Sequence, residues 1–265
     1  MTAASAESEA VYRVEGEQVI SRFHAGGPWD DTMQHGSAPA ALVAWAAENL
    51  PTAVPMQIAR LTIDLMRPVP VAPLTLMRRV VREGRKIQLC EIGLCADGVE
   101  VVRGTVLKVL TQPDLIPGGA GIPAFQMPGP EMCPAPTQLA GMESPFVDGI
   151  SMRLAKGGFD QPGLAAIWYR ADRPIVDGFP ASPAMRAALT ADFCNGTGSV
   201  LDIDGWLFPN GDLTVSTIRP ARGEWILVEA ETMIGPDGMG IACGRLADIH
   251  GYFGRATQTL VLTRR

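Results

Sequence analysis

The sequence predicts an α+β chain in which one unit, a helix followed by an antiparallel sheet, occurs twice. The first observation is a repeat of letters, in which Leu61-Thr62 and Arg67-Pro68 recur with the same internal spacing as Leu213-Thr214 and Arg219-Pro220. The second is that each half contains a helical pattern followed by a series of strand patterns. The third is the segment between the halves, residues 113–147, which is crowded with proline and glycine.

Composition limits the classes of function. The 265-residue chain has 47% hydrophobic and 19% charged residues, as is typical of a globular protein. Its net charge of −6, without a long lysine or arginine run, argues against nucleic acid or an anionic membrane as the main partner. We expect a small molecule or a protein instead. No apolar run has the length of a membrane span and the N-terminus has no secretory pattern, so a cytoplasmic protein is expected.

The cysteines and histidines predict neither a disulfide framework nor a metal site. No Cys-x-x-Cys pair occurs, and no histidine stands at ligand spacing from a cysteine. Reduced, mostly buried thiols are therefore expected, with no metal and no cofactor. The residues concerned are Cys90, Cys95, Cys133, Cys194 and Cys243, and His24, His35 and His250.

The first half is predicted to contain a hairpin, a helix and a sheet. Apolar and polar residues alternate over 10–23, which predicts two strands that turn at Glu15-Gly16. The spacing predicts a helix over Ser37–Leu50 with an apolar face that includes Leu42 and Trp45. Strands are then predicted at about 57–66, 72–83, 85–95 and 99–111.

The second half is predicted to repeat this order. The domains are expected to span residues 10–112 and 148–265, with residues 113–147 as the linker. Two strands come first, Ile150–Lys156 and Leu164–Ala171, and a helix follows between Ser182 and Gly196. Further strands are predicted at about 211–219, 224–234, 239–250 and 254–264.

The second helix carries one carboxylate on its apolar side. Asp192 recurs at helical spacing with Met185, Ala188 and Leu189, so it must face a core or a pocket. A charge there is costly unless it is hydrogen-bonded or partly solvated. Two interpretations remain open from this helix alone. Asp192 is either a functional group in a pocket or a side chain that caps the following loop.

Several segments carry a resemblance to a known family: His35-Gly36-Ser37, LTIDLMRP, WYRAD, MRAALTADFCNG, FPNGDLTVSTIRPARGEW and ATQTLVL. Over nearly its whole length the chain resembles the type II acyl-CoA thioesterases, the thioesterase-like branch of the double hotdog proteins. The resemblance implies a tandem (double) hotdog fold, in which each unit wraps a curved antiparallel sheet around a long helix. It also implies hydrolysis of acyl-CoA to a carboxylic acid and CoA.

In that family an Asp, a Gln and a Ser or Thr jointly hold the water that attacks the thioester. Asp192 falls on the Asp position and Gln258 on the Gln position. Asn210 falls where the hydroxyl residue is expected, and Thr214 is the alternative if the gap is placed differently. From the residues alone, the alternative for Gln258 is an outward-facing polar residue on a terminal strand, and Asn210 is more simply interpreted as a turn residue beside Pro209.

The same resemblance suggests where the substrate binds. His35, Gly36 and Ser37 are expected to contact it, and backbone N–H groups at Gly36 and Ser37 would hold the developing oxyanion. The acyl chain would lie in an apolar tunnel between the helices and the sheets. A homo-oligomer is expected, although the sequence does not indicate its interface.

Other interpretations compete with hydrolysis. Asp30 and His35 have the five-residue spacing of hotdog enoyl-CoA hydratases, but the Asn-Pro of that motif is missing between them. A protein that binds an acyl ligand without turning it over is the alternative that the departure at Asn210 favours. Cys194 lies two residues from Asp192 but has no histidine near it in the sequence, so an inert thiol is expected.

Overall fold

A computed structural model describes residues 9–139 and 141–265. The first half contains β1 (Tyr12–Glu15), β2 (Gln18–Ser21), α1 (Ser37–Glu48), β3 (Met56–Leu65), β4 (Pro73–Glu83), β5 (Ile87–Ala96) and β6 (Val99–Leu110). The second contains β7 (Ile150–Gly158), β8 (Gln161–Ala171), α2 (Pro183–Ala191), α3 (Cys194–Thr197), β9 (Trp206–Leu207), β10 (Asp212–Thr217), β11 (Ile226–Ile234), β12 (Met239–Asp248), β13 (Gly251–Val261) and β14 (Thr263–Arg264).

Both halves of the chain contribute to one large sheet. In the described residues it has 12 strands in the order β1-β2-β4-β5-β6-β3-β10-β13-β12-β11-β8-β7. All of its strand pairs are antiparallel, and β3 and β10 join the two halves edge to edge. The predicted α+β class and the predicted strands are confirmed, with boundaries that differ by a few residues. The precise division into domains at 112 and 148 stays a prediction.

The pairing of β3 with β10 places the two repeated sequence segments opposite each other. Thr214 lies opposite Thr62 at the centre of the pair. On either side of it, Ser216 lies opposite Arg60 and Asp212 lies opposite Asp64. The two halves are therefore related by an approximate two-fold axis through these threonines. Helices α1 and α2 pack against each other on the same side of the sheet.

Helix α1 is buried on every side rather than along one face. Its residues from Ser37 to Ala47 are all buried, so the predicted single apolar face was too narrow. Alanine occurs repeatedly in this helix, and small side chains let the sheet and α2 approach closely all round. Gly36 is the N-cap of the helix, and Ser37, its first residue, is fully buried.

Helix α2 is shorter than predicted. Ser182 caps it and Pro183 is its first residue, as expected, but it ends at Ala191 and a separate turn, α3, follows. The backbone explains the break. The Gln258 side chain donates to the carbonyl of Asp192 and accepts from the Asn195 N–H, so both groups leave the helical ladder. Asp192 is consequently the residue that ends α2, not part of a continuous helix to Gly196.

The segment between the halves covers part of the outer face of the second half. Phe125 and Met127 pack on a small cluster that includes Trp168, Leu227 and Tyr252. The indole N–H of Trp168 donates to the Pro128 carbonyl at 2.9 Å. No helix in the described residues has the length and apolar character needed to cross a membrane.

A buried ion pair fixes the corner between β10 and β11. Both guanidinium ends of Arg219 bond to Asp248, at 2.5 and 2.8 Å, and Asp248 is fully buried. Burial by itself would raise the pKa of Asp248. The Arg219 guanidinium and the N–H groups of Arg222 and His250 outweigh burial, so the pKa lies below its usual value.

We expect Asp248→Asn to lower the free energy of unfolding by roughly 3 kcal/mol at neutral pH, because Arg219 would lose its buried partner. A carboxyl with a lowered pKa in the folded state stabilises the fold above its unfolded pKa. That contribution disappears as the pH falls through the folded pKa, so the difference from the wild type should narrow in acid. Urea unfolding at neutral and acidic pH measures both effects. Asp237→Asn, at an exposed turn, is the matched control and should change little.

Candidate active site

The site lies where the end of α2 meets the beginning of α1. Asp192 ends α2, and its side chain is only 4% exposed. A carboxylate so far from water requires hydrogen-bond donors around it. Residues from both halves of the chain supply them, so neither half forms the site alone.

One oxygen of Asp192 is held by two side-chain amides. Asn210 Nδ2 donates to Oδ1 at 3.0 Å and Gln258 Nε2 donates to the same oxygen at 3.1 Å. Each amide has a second partner, because Asn210 also bonds the carbonyl of Asp212 and Gln258 that of Asp192. These bonds fix the orientation of the amides, so the carboxylate is held in one position.

A strand irregularity turns Asn210 inwards. Thr214 pairs with Thr257, and Asn210 bridges to Leu260, so the β10 side has one residue more than β13 over this stretch. By simple alternation from the buried Leu213, Asn210 would face outwards. The extra residue reverses its direction, as a β-bulge does. Asn210 is therefore more than a turn residue, and its amide reaches Asp192.

Gln258 also faces the interior. Its side chain is 1% exposed on β13, and Oε1 accepts the Asn195 N–H at 3.0 Å. The interpretation of Gln258 as an outward-facing strand residue is wrong. Asn195, which the sequence analysis did not single out, thus helps to position this amide.

The other oxygen of Asp192 faces the beginning of α1. Ser37 Oγ donates to Oδ2 at 3.2 Å. A Cβ at Gly36 would lie 2.8 Å from the same oxygen, so only glycine leaves room for the carboxylate here. A carboxylate oxygen has about two lone-pair sites. The protein occupies both on Oδ1 but only one on Oδ2, so Oδ2 can accept one further hydrogen bond.

His35 packs beside this oxygen. Its ring stacks on Phe146 with a centroid distance of 5.0 Å and lies 4.9 Å from the Phe193 ring. The Ser37 N–H donates to His35 Nδ1 at 3.2 Å, and the same nitrogen lies 3.4 Å from Asp192 Oδ2.

The structure separates two of the predicted residues from this group. Thr214 lies on the face of β10 opposite to Leu213, and its hydroxyl bonds Thr62 across the two-fold axis at 3.4 Å. The alternative assignment of Thr214 is thus corrected. Asp30 bonds the backbone and hydroxyl of Thr32, and no hydrogen bond joins it to His35 within the described residues. The carboxylate nearest to His35 is Asp192 instead.

A large apolar cavity opens beside the carboxylate. Its volume is about 590 Å³, and it is bordered by Asp192, Asn210, His35 and Gly36. The linker also contributes to its wall through Leu139 and Met142. Sequence reasoning missed several of its other apolar and aromatic residues, since they share no regular spacing: Trp29, Met33, Met66, Val147, Met152, Phe159, Leu207, Phe208 and Val261.

The two-fold axis relates this group to a second position, the counterpart site. There Glu48, the last residue of α1, accepts from the Ser182 hydroxyl, as Asp192 does from Ser37. By the strand register, Asn210 corresponds to Ile58. Ile58 lies opposite Lys108, and β3 has a corresponding irregularity between Ile58 and Arg60. Thr257 corresponds to Thr105, so Gln258, the next residue along its strand, corresponds to Val106. The two amides are therefore replaced by hydrocarbon, and the cavity at Glu48 is only about 190 Å³.

Family comparison agrees with this architecture. Residues 25–109 match the model described as acyl-CoA thioesterase N-terminal domain, and residues 130–262 match the acyl-CoA thioesterase C-terminal domain. No curated protein matches the chain significantly.

Solved structures show the same fold. A hot dog fold protein of unknown function from Alicyclobacillus acidocaldarius is 20% identical, with a TM-score of 0.75 and 99% of each chain covered. The acyl-CoA thioesterase II TesB2 from Mycobacterium marinum is 13% identical, with a TM-score of 0.67 and 95% of each chain covered. At these identities the likeness concerns the fold alone. The two family models, which together match most of the sequence, show that the chain belongs to the acyl-CoA thioesterase family.

Proposed function

We propose that the protein hydrolyses an acyl-CoA thioester to a carboxylic acid and CoA. The observation that carries the proposal is the buried Asp192 carboxylate, held by two amides at the edge of a large apolar cavity. A group that must accept a proton from water needs a fixed position and a free lone pair facing the substrate. Two observations support Asp192 in this role: the amides hold it in one position, and it borders the cavity with one lone pair of Oδ2 left free by the protein.

In the proposed reaction a water bound to Asp192 Oδ2 attacks the thioester carbonyl carbon. Asp192 accepts the proton of that water as the carbon–oxygen bond forms, and the carbonyl electrons move to its oxygen. Collapse of the tetrahedral intermediate breaks the carbon–sulfur bond. The proton then passes to the departing thiolate, which gives the free acid and the CoA thiol. Asn210 and Gln258 act here as positioning residues, because they hold Asp192.

The Gly36 N–H is the donor that we assign to the developing oxyanion. Two neighbouring amides are already engaged, since Ser37 N–H bonds His35 Nδ1 and Ala38 N–H bonds the His35 carbonyl. Within the described residues the Gly36 N–H has no acceptor, and Gly36 borders the cavity. Its position at the beginning of α1 adds the favourable field of the helix.

A covalent intermediate on Cys194 is not part of this proposal. Burial, and then the neighbouring Asp192 carboxylate, raise the pKa of the Cys194 thiol far above its usual value. The reactive thiolate form is therefore negligible at neutral pH. The thiol is also fully buried against β12, where Gly244 leaves room for it.

The first test compares the two symmetry-related carboxylates. We expect Asp192→Asn to reduce thioester hydrolysis by more than about a hundredfold, because an amide cannot accept the proton from water. Glu48→Gln makes the same chemical change at the counterpart site and should leave the rate unchanged. Thiol release from acyl-CoAs of increasing chain length measures both.

Each outcome of this comparison is informative. Near-normal hydrolysis by Asp192→Asn would contradict the proposed mechanism. If the wild type binds acyl-CoA in calorimetry but releases no thiol, the protein is a binding protein rather than a hydrolase. Hydration of crotonyl-CoA, followed by its absorbance, would indicate a hydratase in its place.

The second test concerns the amides that hold Asp192. We expect Asn210→Leu and Gln258→Leu each to reduce kcat roughly tenfold to a hundredfold, as expected for loss of a hydrogen bond to a charged group. Thr214→Val is the matched control, since Thr214 lies outside the group, and it should retain full activity. A control that is impaired as strongly as the amide variants would refute the assignment.

The third test examines Cys194 by alkylation. Native protein treated with iodoacetamide at neutral pH should leave Cys194 unmodified while the more exposed Cys95 reacts, as determined by peptide mass spectrometry. Unfolding in urea should make both react. Rapid modification of Cys194 in the native state, with loss of activity, would instead support a nucleophilic thiol.

A further inference from the structure

We propose that Arg67, Arg264 and Arg265 bind the phosphates of the nucleotide part of CoA at the rim of the cavity, and so select the thiol carrier. The inference rests on the proposed function, since it concerns the part of the substrate that remains outside the acyl cavity. It assigns a role to the C-terminal residues, which the reaction at Asp192 does not use.

Strand pairing fixes the C-terminal residues beside the cavity. In the small sheet formed by β9 and β14, Thr263 lies opposite Leu207 and Arg264 opposite Trp206. The backbone of Arg265 continues the contact by donating to the Gly205 carbonyl at 3.2 Å. Leu207 itself lines the cavity. The last two arginines therefore occupy defined positions next to its rim.

Each of these arginines lies over a tryptophan. The guanidinium carbon of Arg264 is 5.1 Å from the centre of the Trp206 ring, and that of Arg265 is 5.9 Å from Trp29. Trp29 lines the cavity and packs edge-on against Phe208 at 5.2 Å. Contact with an aromatic face restricts a guanidinium without neutralising it. Arg265 is thereby positioned against Trp29 in the cavity wall, and Arg264 against Trp206, the residue that precedes Leu207 of that wall. Both guanidinium groups keep their charge.

Arg67 adds a third positive charge to the same rim. It follows β3 at the repeated Arg-Pro corner and lines the cavity. Within the described residues none of the three arginines forms a salt bridge, whereas Arg79, Arg103, Arg170, Arg219 and Arg245 do. Two nearby carboxylates, Asp30 and Asp202, accept hydrogen bonds from Thr32 and from the Gly205 N–H, and within the described residues neither forms a salt bridge with these arginines.

This arrangement fits a phosphorylated carrier. Guanidinium groups bind phosphate oxygens through paired, charge-assisted hydrogen bonds. On a chain with a net charge of −6, such a cluster is a local exception that attracts an anionic ligand. The apolar cavity would hold the acyl group near Asp192, and the polar end of the same substrate would extend across the rim.

The test compares one acyl group on different thiols. Octanoyl esters of CoA, of phosphopantetheine and of N-acetylcysteamine carry the nucleotide, a single phosphate and no phosphate, respectively. We expect Arg264→Gln/Arg265→Gln to raise KM for the CoA ester at least about tenfold with kcat nearly unchanged. KM for the N-acetylcysteamine ester should stay the same, and the increase of KM with salt should become weaker. Arg67→Gln should act in the same direction.

The matched control removes the same charge elsewhere. Arg82→Gln/Arg85→Gln changes two exposed arginines near the β4–β5 turn, outside the cavity, and should leave all three esters unaffected. Thermal unfolding shows whether the variants are folded. Calorimetric titration with CoA alone gives a second measurement, in which affinity should fall at least about tenfold for the rim variants only.

The outcomes separate this inference from the proposed function. A wild type that hydrolyses none of the esters refutes hydrolysis itself. Hydrolysis of all three with unchanged KM in the rim variants refutes only the role of the arginines. An equal effect on the phosphopantetheine ester would also overturn it, because the phosphate recognised would then belong to the pantetheine arm and not to the nucleotide.

Discussion

The antiparallel pairing of β3 with β10 is the constraint on which the rest of the molecule depends. It joins two units edge to edge around Thr62 and Thr214, and so sets the two central helices side by side. In this side-by-side arrangement, the beginning of each helix meets the end of the other. A serine at the start of one helix then reaches a carboxylate at the end of its neighbour, and this contact is made twice.

The two contacts differ in how the cost of burying a carboxylate is offset. Asp192 is almost completely buried and takes two amide donors, which suit an anion withdrawn from water. Glu48 remains in contact with solvent, and the charges of Lys108 and Arg186, rather than amides, favour its ionised form. Burial raises the pKa of Glu48 and lowers that of Lys108. Of the two related positions, only the one at Asp192 thus has the amides on which the proposed mechanism depends.

The polar groups of the site and the walls of its cavity come from different parts of the chain. The carboxylate and its amides come from the end of α2, from β13 and from the residues just before β10. The cavity beside them is closed by loops and by the linker, through side chains such as Met33, Met142 and Phe208. Methionine side chains, which have three rotatable bonds, can adapt to ligands of different shape. The proposed reaction centre is therefore held by side chains fixed through hydrogen bonds, whereas the proposed acyl site is walled mainly by connecting segments.

The sequence by itself determined the elements and the repeat, because apolar periodicity, glycine turns and the Arg-Pro corners are local signals. It also identified Asp192 and Gln258 through the resemblance to a family. It could not decide which way the Asn210 side chain points. One extra residue on the β10 side reverses the face of the strand, and no sequence pattern indicates it. Nor could it locate the end of α2, which depends on Gln258, 66 positions away in the chain. Those features are contacts between distant segments, so only the tertiary structure decided them.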